Sequence, residues 1–60
     1  MICHEAYTKA GTKVHGVWLI EGEYGARTLC GVRVVDSKRK NFAKATNRCG
    51  GCRKAYDLYA

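Results

Sequence analysis

The chain has no proline, no low-complexity tract and no internal repeat, so nothing divides its 60 residues into modules. It also has no apolar run near the ~20 residues that a membrane-spanning helix needs. The start, Met1-Ile2-Cys3-His4-Glu5, lacks a basic stretch followed by an apolar one, so no secretory signal is visible and a cytosolic protein is expected. In that compartment thiols stay reduced. The four cysteines are therefore expected to bind metal rather than to form a disulfide framework. Acidic residues are scarce as well: five, against eleven lysines and arginines.

Length is the other shortage. A chain of this size buries only about 60% of the surface that its unfolded form exposes, so an apolar core alone is marginally stabilising. Such chains usually need a disulfide, a metal or a partner. Four cysteines and two histidines make a metal staple available.

The charge is unevenly placed. Over residues 1–36, Lys9, Lys13, Arg27 and Arg33 cancel Glu5, Glu21, Glu23 and Asp36. Over residues 37–60, Lys38, Arg39, Lys40, Lys44, Arg48, Arg53 and Lys54 face Asp57 alone, and the whole net charge of +6 arises there. A zinc ion held by three thiolates and one neutral imidazole adds about −1, which leaves the protein basic.

Periodicity places the motifs on elements. Residues 1–12 are polar with little periodicity and read as a loosely ordered arm, followed by one domain over 13–60. Lys13 to Ile20 and Ala26 to Val35 are β-branched and aromatic runs around a glycine-bearing turn, Glu21 to Gly25, the pattern of a hairpin. With Gly22-Glu23 as the central residues of a type II′ turn, His15 faces Cys30 across the strands; a longer loop through Gly25 shifts that pairing. Ser37 to Asn41 reads as a basic, exposed connection and Phe42 to Thr46 as a short third strand. From Gly51, residues Cys52, Ala55, Tyr56 and Tyr59 fall on one face of a helix. The expected fold is a small metal-stabilised α+β domain: a β-hairpin, a third short strand and a short C-terminal helix around one zinc.

The sharpest local signal is Cys49-Gly50-Gly51-Cys52. Two cysteines at this spacing reach one tetrahedral ion, and a helix beginning at the second sets its positive end against the thiolates. His15 and Cys30 complete the preferred set, His-x14-Cys-x18-Cys-x2-Cys. Cys3 is the alternate ligand, disfavoured because a ligand on a loose arm gives up more chain entropy on binding. Four protein donors close the shell, and Glu21 and Glu23 fall in a turn, so a structural site and no enzyme is expected.

Val14-His15, Thr28-Leu29-Cys30-Gly31 and Cys49-x2-Cys52 with a basic residue after it resemble a class of very small zinc-finger proteins. These are common in actinobacteria and in the phages that infect them. The resemblance spans about residues 13–54 and implies one zinc on the strand histidine, the cysteine of Thr-Leu-Cys-Gly and the closing pair. The Cys3-His4 segment departs from the pattern.

Two functions are compatible with these features. In the first, Lys38, Arg39, Lys40, Lys44, Arg48, Arg53 and Lys54 contact nucleic acid in a regulatory accessory protein. In the second, the protein docks on a host protein complex through exposed aromatics, Trp18 and Tyr24 foremost. Neither a membrane nor a small-molecule substrate is expected.

Overall fold

The computed structural model describes residues 2–9 and 11–59. Four strands, β1 (Ile2–Tyr7), β2 (His15–Ile20), β3 (Glu23–Tyr24) and β4 (Asp36–Asn41), precede a 3₁₀ turn (Phe42–Lys44) and one helix, α1 (Gly50–Tyr59). The strands form one antiparallel sheet in the order β3-β2-β1-β4. The expected α+β class is observed, with four strands instead of a hairpin and a third strand.

The expected loose arm is corrected by β1, which occupies an interior place in the sheet. Cys3 pairs with Trp18 and Ala6 with His15. Successive strand residues point to opposite faces, so Cys3 and Ala6 are buried on different sides. Both are small, which lets cover pack close on each face. An interior strand buried on two sides has no polar–apolar alternation, which is why the sequence reads as unstructured there. Met1 and Ala10 of the expected arm lie outside the described residues.

The β2–β3 turn is also one residue earlier than expected. Ile20 pairs with Glu23, and the two residues between them have positive φ, 51° at Glu21 and 82° at Gly22. Both signs positive define a type I′ turn, whose twist matches that of the strands. The extended register would then set His15 opposite Thr28 and not Cys30. However, pairing stops at Tyr24, and residues 26–35 do not continue as a strand. They fold on themselves through Thr28 N–H to Val32 O at 2.7 Å and Val34 N–H to Ala26 O at 3.0 Å. The segment must cross the sheet to reach β4 on the far edge, where Val35 N–H donates to Tyr7 O.

Residues expected as a connection, Ser37 to Asn41, lie within β4 and pair with β1. The register slips between Glu5↔Lys38 and His4↔Asn41, so Arg39 and Lys40 are extra residues on the β4 side. The expected third strand at Phe42 is a 3₁₀ turn, capped by Asn41 Oδ1 accepting from Ala43 N–H. Phe42 is fully buried and forms the core with Cys3 and Cys52. Val14, Trp18, Leu29, Cys49 and Tyr56 pack around them. Helix α1 leans on the sheet through Trp18, whose ring lies 6.1 Å from Tyr56 and 4.8 Å from Tyr59.

Candidate metal centre

Three separate pieces of chain deliver the four expected donors to one point. His15 opens β2. Its neighbour Val14 accepts from Cys49 N–H and donates to Asn47 O, tying residues 47–49 alongside β2. Cys49 therefore arrives next to His15, and α1 begins at Gly50, one residue on. Arg53 N–H donates to Cys49 O, which makes Cys49 the cap of that helix and brings Cys52 back over the same spot.

Cys30 comes from the crossing segment. Leu29 N–H donates to Gly16 O, anchoring the tip of that loop beside β2. Gly31 N–H donates to Thr28 O with Gly31 at φ 93°, a conformation that favours glycine. This tight turn, closed further by Arg27 Nη1 donating to Gly31 O, points the Cys30 sulfur inward. The loop, not the hairpin register, brings His15 and Cys30 together.

The donor atoms of His15, Cys30, Cys49 and Cys52 all lie within 4.8 Å of one another. His15 Nδ1 is 3.5 Å from both the Cys30 and Cys52 sulfurs, and the Cys30 and Cys49 sulfurs are 4.0 Å apart. A regular tetrahedron around zinc has S···S edges of about 3.8 Å and N···S edges of about 3.6 Å, from bonds of 2.3 and 2.0–2.1 Å. The cluster therefore matches one tetrahedral ion in size as well as in chemistry. Three thiols and an imidazole are soft to borderline donors, which fits zinc.

The supporting contacts are consistent with that use. With Nδ1 facing the sulfurs, Nε2 faces Thr8 Oγ1 at 3.5 Å, where an N–H on Nε2 donates outward. Such a partner fixes the tautomer of a ligating histidine. Thr28 Oγ1 lies 3.1 Å from the Cys30 sulfur and also accepts from Val32 N–H. Burial opposes ionisation of Cys30, but hydrogen bonds from Thr28, Cys52, His15 and Cys49 outweigh it and bring the thiol down to about 6. Burial holds the Cys52 thiol up, with the adjacent Cys30 sulfur adding to it, against backbone N–H bonds from Gly16 and Cys30. A dication at the centre of the cluster favours the thiolate at every position.

Thr8 and Thr28 were not singled out as functional from the sequence. Thr28 stands in the Thr-Leu-Cys-Gly run, where its position two before Cys30 is the signal; Thr8 leaves none, since its closeness to His15 depends on the β1–β2 loop. The alternate ligand Cys3 is not among the clustered donors. It is buried against Phe42 and Gly16, and burial, reinforced by Cys52, pushes its thiol up to about 11.

The remaining named residues are scattered over other surfaces. Lys38, Arg39 and Lys40 are exposed on β4, with Lys44 exposed at the end of the 3₁₀ turn; Lys38 Nζ sits 5.5 Å from the centre of the Tyr7 ring. Arg53 and Lys54 are exposed on the first turns of α1. Arg48 is half-buried with its guanidinium 5.6 Å from the centre of Phe42. Trp18 is half-buried beneath α1, and Tyr24 is half-buried with its hydroxyl 2.9 Å from His4 Nδ1. Among the described residues, no helix is long and apolar enough to cross a membrane.

Among the described residues, this quartet is the group able to hold a metal ion. No family model, curated protein or solved structure matches the chain.

Proposed function

We propose that the protein binds one zinc ion through His15, Cys30, Cys49 and Cys52 for structural purposes, and that the basic residues of its C-terminal portion contact nucleic acid. The observation that carries the first half is the tetrahedral spacing of the four donors. It is supported by their closed shell: four protein ligands leave no position for a reacting water. The ion would join the β2 strand, the crossing loop and the start of α1, adding to the backbone bonds and the small core cluster that already bring them together.

The second half rests on charge. Residues 37–60 supply the net +6, and of their seven cations only Arg48 is withdrawn from solvent. Such a surface attracts the phosphate backbone without reading sequence. On the resemblance described above, this reading makes the chain a small regulatory accessory protein of the kind that actinobacteria and their phages encode, acting in the cytosol.

Native mass spectrometry tests the metal, with one zinc expected per chain and none after chelation. Fluorescence anisotropy with nonspecific duplex DNA and RNA at low and moderate salt tests the partner. Binding that weakens with salt, with a log–log slope of about −0.9 per phosphate contacted, supports the nucleic-acid reading. Absence of binding at low salt eliminates it and leaves docking on a protein partner.

A further inference from the structure

The four clustered donors differ sharply in access. His15 and Cys52 are buried, Cys49 is half-buried, and Cys30 is exposed at the tip of its loop. The sulfurs of the exposed and the half-buried cysteine lie 4.0 Å apart. Gly51 lies over this pair without a side chain. A Cβ placed there would come within 3.1 Å of Cys30 Cβ and 3.9 Å of the Cys49 sulfur. Cys52, in contrast, is fully buried in the core with Phe42 and Cys3.

We propose that Cys30 is a site of oxidative modification, and that hydrogen peroxide joins Cys30 to Cys49 as a disulfide and thereby empties the metal centre. This rests on the reading that the quartet holds zinc. The Cys30 thiolate attacks one oxygen of the peroxide. The S–O bond forms, the O–O bond breaks, and the sulfur is oxidised to sulfenic acid while hydroxide leaves. The Cys49 thiolate then attacks that sulfur, the S–S bond forms, and a second hydroxide departs. Two electrons have passed from the sulfurs to the peroxide, and two protons from solvent convert both hydroxides to water. His15 and Cys52 remain, and two donors do not satisfy a tetrahedral ion.

The consequence follows from the topology. A Cys30–Cys49 link still ties the crossing loop to the start of α1, but the metal no longer joins either of them to His15. The backbone bonds from Leu29 N–H to Gly16 O and from Cys49 N–H to Val14 O are left to hold them on β2. Oxidation would loosen the domain without severing it, and a thiol reductant with zinc would restore it.

The test uses the full zinc-loaded chain treated with hydrogen peroxide. A chromophoric chelator follows zinc release, and peptide mapping under non-reducing conditions identifies the disulfide. The expected result is zinc release together with a Cys30–Cys49 disulfide, both reversed by dithiothreitol and added zinc. Cys3→Ala should release zinc at the same rate with the same disulfide. Cys30→His replaces the sulfur with a nitrogen donor, and zinc release should slow roughly tenfold or more, because the thiolate is the nucleophile. If this variant does not retain zinc, the map of the wild-type chain decides alone. A Cys49–Cys52 disulfide, a disulfide containing Cys3, or zinc loss without a disulfide overturns the proposal. A reduced chain that takes up no zinc overturns the metal reading instead.

Discussion

Gly16 and Cys3 show how tightly single residues are constrained in a core this small. A Cβ at Gly16 would sit 2.8 Å from the Cys3 sulfur and 3.1 Å from the Phe42 ring, and both neighbours are buried. Gly16→Ala should therefore destabilise the fold by about 1–3 kcal/mol through overpacking, read as a lower urea midpoint. Adding Cys3→Ala removes the nearer clash and should recover part of the loss. Cys3→Ser should itself cost about 1–3 kcal/mol, since it leaves a hydroxyl in an apolar site, while the zinc stoichiometry stays unchanged. On a loose arm that substitution would be mild; burial of Cys3 makes it costly. The raised Cys3 thiol has a pH signature of its own. Its folded value, about 11, lies above its ordinary value, 9.0. The protonated form thus favours the fold, a contribution fully present below pH 9 and lost as pH rises through about 11. In the native protein at pH 8, Cys3 should resist alkylation.

At the scale of elements, the type I′ turn places an unsuited residue at one of its two positions. Glu21 has φ 51°, which costs a residue with a Cβ roughly 1 kcal/mol, whereas asparagine or glycine tolerates it. Glu21→Asn should raise the urea midpoint by an amount corresponding to about 0.5–1 kcal/mol; no change would mean that the turn relaxes in solution. The first strand of the hairpin was legible from the β-branched and aromatic run up to Ile20. Its partner was not, since Glu23–Tyr24 pairs with it while residues 26–35 fold on themselves; nor was the turn, because Gly22 suits either of two adjacent frames. The helix was legible from the spacing of Cys52, Ala55, Tyr56 and Tyr59. At ten residues it is too short to be stable alone, and Trp18 and the metal site have to hold it. Strand β4 was not legible. Its residues, from Asp36 to Asn41, are polar and mostly exposed, and an edge strand of that composition shows no apolar face.

For the whole molecule, the proposed site makes the balance between ordering the chain and burying it depend on the ion. Removal of zinc by a chelator should abolish the native circular dichroism spectrum and proton dispersion, and zinc should restore both. A well-folded, metal-free chain would show that the core suffices. Metal affinity should fall as pH falls, because protons compete for three thiolates and an imidazole. The sequence by itself determined the donor types, the helix-starting cysteine pair and the placement of all net charge in residues 37–60, since these depend on residue identity and local spacing. It also pointed to His15 and Cys30, in part through a strand register that does not exist. Only the tertiary structure decided that β1 is interior, that Cys3 belongs to the core, and that a crossing loop carries Cys30 to the cluster. Those outcomes depend on contacts between residues far apart in the chain, which no local pattern encodes.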